Sequence, residues 1–126
     1  MSVLIDTSVW IEHFRNNNKA LVEVIGLDLA LIHPMVLVEI ACGTPPAPRS
    51  YTLGSLSLLR MCKQASAHEV LAFIEREKLY GCGCGLVDIS LLASTLITPG
   101  AKLWTLDKRL SNIARRFSVA YTVSLH

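Results

Sequence analysis

The hydrophobic positions along the chain change their period several times. Residues 2–6, SVLID, are an apolar run of strand length. From Thr7 the spacing turns helical, with Val9, Ile11 and Phe14 recurring among polar residues in TSVWIEHFR, and Thr7 or Ser8 is suited to cap that helix. ALVEVIGLD predicts a second helix and LALI (29–32) a second strand. Pro34 opens a third helix at a position that tolerates its missing N–H; this helix passes through Glu39 and stops at Gly43. The Pro-rich TPPAPRS (44–50) is a loop too short to divide domains. Helical spacing returns over 53–63 and 67–79. A glycine loop, YGCGCG, precedes a helix over 86–97 that ends at TPG. AKLWTL is a strand ending at Asp107, KRLSNIARRF a helix, and VAYTV a last strand.

Strands alternating with helices imply an α/β fold: a parallel twisted sheet of four to five strands with helices on both faces. The 126 residues fit one domain, 1–126, around one core. In such sheets ligands bind beyond the carboxyl ends of the strands, and Asp6 and Asp107 both fall at such ends.

Composition narrows the function classes. Hydrophobic residues make up 52% of the chain, yet no apolar run approaches the ~18 residues of a membrane helix. The start has no basic segment followed by a cleavage site, so the cytoplasm is the expected compartment. A net charge of +2 does not by itself announce a nucleic-acid binder. The apolar surplus suits a protein interface. Cys82 and Cys84 form a lone C-x-C, which offers zinc too few partners, and Cys42 and Cys62 fit as small core residues. Trp10 and Trp104 fit the core, and His33 fits a helix entry.

Four of the ten acidic residues keep unusual company. Asp6 lies in VLIDTSVW, Glu39 in MVLVEIAC, Asp88 in GLVDISLL and Asp107 in KLWTLDKR. A carboxylate buried without a partner costs several kcal/mol or becomes neutral. Any one of them could cap a helix or pair with an arginine. Four at once need about as many buried bases, and the apolar segments supply almost none. Sharing a divalent cation is the simpler solution. Asp6 and Asp107 end strands on one side of the sheet, and Glu39 lies one to two turns into its helix. With Gly85 as N-cap, Asp88 is near N3, where the helix dipole favours a carboxylate. All-oxygen ligands select Mg²⁺ or Mn²⁺, and such a site suits phosphodiester hydrolysis.

LIDTSVWI, Glu39 in the third helix, GCGCGLVDISLLAST and LWTLDKRL together resemble the PIN-domain ribonucleases, most closely the VapC-type toxins of bacterial toxin–antitoxin pairs. The resemblance covers nearly the whole chain. It implies a Mg²⁺-dependent endoribonuclease, with Mn²⁺ an acceptable substitute, in which Asp6, Glu39, Asp88 and Asp107 bind metal and Asp6 and Asp88 are the most direct ligands. Ser8 and Thr105 match family hydroxyls that orient carboxylates or waters. Lys108 and Arg109 stand where some relatives carry a further acid, which disfavours a second metal position and leaves one-metal and two-metal mechanisms both open. The resemblance also implies a VapB-type antitoxin that inhibits the toxin, a groove for it formed by helices near the N-terminus and over 51–80, and a homodimer that builds a heterotetramer or larger assembly with the antitoxin. Arg109, Lys108 and Arg15 are the candidate contacts to RNA phosphates.

Other classes fit less well. An aspartyl-phosphate phosphatase usually has a second Asp where Ser8 stands, and a phospho-acceptor module needs an acidic pair near the first strand. A non-catalytic PIN-like interaction module, or another metal-dependent phosphohydrolase, would use the same scaffold; loss of the acids would favour the former, and all four are present.

Overall fold

The computed structural model describes residues 1–123. In chain order the elements are β1 (Ser2–Ile5), α1 (Thr7–Asn16), α2 (Lys19–Gly26), β2 (Ala30–Ile32), α3 (Pro34–Cys42), α4 (Arg49–Ser57), β3 (Arg60–Met61), α5 (Ala67–Glu77), α6 (Leu86–Ile97), β4 (Ala101–Trp104) and α7 (Lys108–Arg116). The strands form one parallel sheet in the order β3-β2-β1-β4. Leu4 sits between Leu31 of β2 and Leu103 of β4, and Ile5 lies beside Trp104. A strand covered on both faces reads as a continuous apolar run, and Val3, Leu4 and Ile5 are all fully buried.

The chain steps from β1 to β2 to β3 in one direction, then crosses back over the sheet to β4. Right-handed crossovers put the helices of these two legs on opposite faces. The contacts agree: α3 packs on α1 and α4, whereas α6 packs on α5, α7 and β4. The direction therefore reverses between β1 and β4, and the crevice this opens lies beyond their carboxyl ends. α6 is enclosed over most of its length, from Ile89 to Thr95. Two of its buried hydroxyls are satisfied: Ser94 Oγ accepts from the Ala65 N–H at 3.1 Å, and Thr95 Oγ1 donates to the Leu91 carbonyl at 2.7 Å.

Several expectations need correction. The helix read over 53–63 is instead α4 followed by β3, a two-residue edge strand whose Arg60 and Met61 pair with Leu31 and Ile32. Two exposed residues carry no alternation to read. β4 stops at Trp104 rather than running on to Asp107, because the hydroxyls of Ser8 and Thr105 capture the next backbone N–H groups, those of Leu106 and Asp107. The last strand, VAYTV, is reduced to one parallel bridge between Leu103 and Ala120. Neither Thr7 nor Ser8 caps α1; Asp6 occupies the N-cap, and its side chain is engaged elsewhere. Cys62 is buried as expected, but Cys42 is exposed at the last residue of α3. Trp10 and Trp104 are buried, and His33 Nδ1 caps α3 by accepting from the Met35 N–H at 3.0 Å.

Candidate active site

Asp6 is the residue immediately after β1, only 5% exposed, and its backbone N–H is tied to the Trp104 carbonyl at 2.9 Å. Its Oδ2 accepts two hydrogen bonds of 2.7 Å, from Ser8 Oγ and from Thr105 Oγ1. Each hydroxyl has a single proton and both protons are directed at Asp6, so the 3.4 Å approach of the two oxygens is contact rather than a bond. Each hydroxyl also accepts a backbone N–H from the β4–α7 connection, Leu106 to Ser8 and Asp107 to Thr105, both at 3.0 Å. The start of α1 and the end of β4 are thereby tied together around one carboxylate oxygen. Asp6 Oδ1 receives no donor among the described residues.

The other three acids approach this edge from different elements. Asp107 is the N-cap of α7, and its Oδ1 accepts from the Leu110 N–H at 2.9 Å. Asp88 is at N3 of α6, and its Oδ2 accepts from the N–H of Gly85, the N-cap, at 3.3 Å. Glu39 lies on the second turn of α3, and Thr7 Oγ1 donates to its Oε1 at 2.6 Å. Apolar neighbours in sequence overstated the burial of these side chains. Asp6 is buried and Asp88 half-buried, but Glu39 and Asp107 are exposed. Two of the four are thus solvated and need no buried partner.

Charge links them nonetheless. Desolvation pushes the Asp88 carboxyl above its ordinary range, and the charges of Asp6, Asp107 and Glu39 push it further; only the Gly85 hydrogen bond opposes this. Burial, the neighbouring Cys82, and the charges of Asp88 and Asp107 push the Cys84 thiol up to about 12. Asp88 therefore feels all three of the other acids. Among the described residues, no three His, Cys, Asp or Glu side chains converge closely enough to hold one ion as they stand.

No protein-family model matches the chain. Two curated proteins do match it, both named Ribonuclease VapC32, from the CDC 1551 and H37Rv strains of Mycobacterium tuberculosis. Each is 42% identical over 118 residues, covering 94% of this chain and 94% of its own length. The chain belongs to the VapC-type PIN-domain ribonucleases. The four-stranded parallel sheet with helices on both faces is consistent with that VapC-type fold.

The basic residues of α1 and α7 divide by position. Lys108 and Arg109 are exposed at the first two positions of α7, beside Asp107. Arg15 is in the last turn of α1, about 13 Å along the helix from Asp6, and lines a cleft with Phe14, Thr44 and Pro46. Arg115 and Arg116 fall at the far end of α7; Arg116 pairs with Glu77 at 3.2 Å, and Arg115 donates to Asn112. Two residues at this VapC edge escaped the sequence. Thr7 holds Glu39, and its only signal was its position between Asp6 and Ser8. Gly83 packs against Arg109, a contact between residues 26 apart that no local pattern encodes. The cysteines are free thiols, and Cys82 donates to the Leu79 carbonyl at 2.9 Å.

Proposed function

We propose that the chain is a Mg²⁺-dependent endoribonuclease toxin that cleaves RNA phosphodiesters and is restrained by a VapB-type antitoxin. Family membership supports the ribonuclease class. The observation that carries the metal is Asp88, a half-buried carboxylate whose ionisation is opposed by three other acids. That burden suits a divalent cation, and four carboxylates make an all-oxygen donor set for Mg²⁺ or Mn²⁺. Asp6 would offer its unbonded Oδ1 and Asp88 a carboxylate oxygen, with Glu39 and Asp107 reached directly or through water. Since the acids do not close on one point as they stand, binding would draw side chains inward. When bound, the cation would supply acidity to a coordinated water and neutralise charge at the scissile phosphate.

The protein's own contribution is orientation. Ser8 and Thr105 fix the Asp6 rotamer so that one oxygen is committed to the scaffold and the other faces outward. The Gly85 N–H holds Asp88, and Thr7 holds Glu39. Lys108, Arg109 and, more remotely, Arg15 are the candidate phosphate contacts. A homodimer and a larger complex with the antitoxin complete the proposal, and the surplus of exposed apolar side chains suits them: Leu58 is 86% exposed and Leu71 is 59% exposed.

The test is RNA cleavage by the purified chain with Mg²⁺, with EDTA, and with Asp6→Ala or Asp88→Asn, alongside expression of each form without antitoxin. Cleavage and growth arrest should require the cation and both acids. Full activity in EDTA, or in either variant, would reject the metal assignment.

A further inference from the structure

Arg109 occupies the space that a side chain at Gly83 would fill. A Cβ added at Gly83 would lie 2.8 Å from Arg109 Cδ and 3.1 Å from both Nε and a terminal guanidinium nitrogen. The outer half of the arginine therefore covers the side of the glycine from which a side chain would project, and any side chain there would displace it. Gly83 also has φ +85°, a conformation that other residues adopt with strain. Arg109 is exposed, two residues beyond Asp107, and takes part in none of the ion pairs among the described residues. A guanidinium at the start of α7 is thus seated on the loop that leads into the helix carrying Asp88. Cys84, next to Gly83, feels the charges of Asp88 and Asp107, which puts loop and acids at one corner.

We propose that Gly83 is a positioning residue whose missing side chain seats Arg109 as a clamp for an RNA backbone phosphate next to the cleaved bond. The assignment rests on the ribonuclease function of the preceding section and adds to it a residue pair that sets where the strand lies. The planar, always charged guanidinium suits bidentate contact with phosphate oxygens. Seating its outer half against Gly83 removes much of the rotamer freedom that phosphate binding would otherwise have to restrict.

Binding of a fluorescein-labelled pool of short single-stranded RNA is measured by anisotropy at increasing NaCl in EDTA, and cleavage is measured separately with Mg²⁺. Arg109→Ala should weaken binding about ten- to a hundredfold, the range of one charge-assisted contact. It should also lower the slope of log affinity against log salt by about 0.7, one phosphate contact on a single strand. Gly83→Ala should weaken binding to a similar extent and raise KM more than it lowers kcat. Gly81→Ala is the control, since Gly81 has φ +70° but nothing within 4 Å of an added Cβ. It carries similar backbone strain without touching Arg109, and its affinity should stay near wild type. In an Arg109→Ala background, Gly83→Ala should cost nothing further. Equal losses from Gly83→Ala and Gly81→Ala, or an undiminished loss in the Arg109→Ala background, would overturn the seat. Failure of the wild type to bind RNA would overturn the clamp. Binding in EDTA that depends on Gly83 and Arg109, without cleavage in Mg²⁺, would leave the seat standing as an RNA contact and reject the nuclease reading on which its place beside a cleaved bond rests.

Discussion

Replacing Asp88 with Asn should make the cation-free protein more stable while removing its activity. The half-buried Asp88 carboxyl is raised by desolvation and by three acidic neighbours, so the native state holds this proton more tightly than the unfolded chain does. With more protons bound in the native state, stability falls as pH rises. The penalty begins above the ordinary carboxylate pKa and is complete above the raised native value, so it is in force at pH 7.5. Asn keeps an oxygen for the 3.3 Å hydrogen bond from Gly85 and removes the charge. The gain is limited in two ways. Solvent screens a half-exposed group, for which like-charge effects run at about 0.2–1 kcal/mol. The helix N-terminus also favours an anion by about 0.3–1 kcal/mol. The upward shift says that repulsion and desolvation prevail, leaving a net gain of roughly 0.5 kcal/mol, or about 2 °C in Tm for a chain of this size. Thermal unfolding in EDTA should show that gain at pH 7.5 and little of it at pH 4. Adding Mg²⁺ at tenfold its Kd should stabilise the wild type by about 1.4 kcal/mol and reverse the order. A variant less stable than wild type in EDTA at pH 7.5, or a difference independent of pH, would refute the electrostatic account of Asp88.

Three further outcomes follow from the geometry. Ser8→Ala and Thr105→Val each remove a 2.7 Å donor from buried Asp6 and should cost about 1–2 kcal/mol in urea unfolding, with the double variant losing less than the sum because both act on one oxygen. Cys84, raised to about 12, and Cys62, raised to about 11, should resist iodoacetamide at pH 8, where about one Cys84 thiol in ten thousand is ionised; Cys82→Ser with Cys84→Ser should leave cleavage largely intact. Leu4→Ala, in the fully buried central strand, should cost about 3 kcal/mol, whereas Leu58→Ala, at 86% exposure, should stay within about 0.5 kcal/mol.

The parts legible in the sequence are those fixed by local pattern. The buried run of β1, the proline at the start of α3, and Gly85 three residues before Asp88 each leave a signature within a few positions. The four acids stood out because charge interrupts apolar runs at the ends of those elements. What stayed hidden depends on distant partners. β3 forms only because Leu31 and Ile32 lie alongside it. β4 ends early because Ser8, nearly a hundred residues away, takes the Leu106 N–H. The exposure of Glu39 follows from which face α3 turns to solvent, and its neighbours Val38 and Ile40 concealed this by being apolar on both sides.

Three of the four acids stand at helix starts: Asp6 at the N-cap of α1, Asp88 at N3 of α6 and Asp107 at the N-cap of α7. Each helix start carries the equivalent of about half a positive charge. The scaffold beneath the acids is therefore built to attract anions, and the carboxylates reverse its sign. A descendant that lost those acids would not become inert. Its bare helix ends would welcome phosphate directly, so a few substitutions could turn a cutter of RNA into a holder of it.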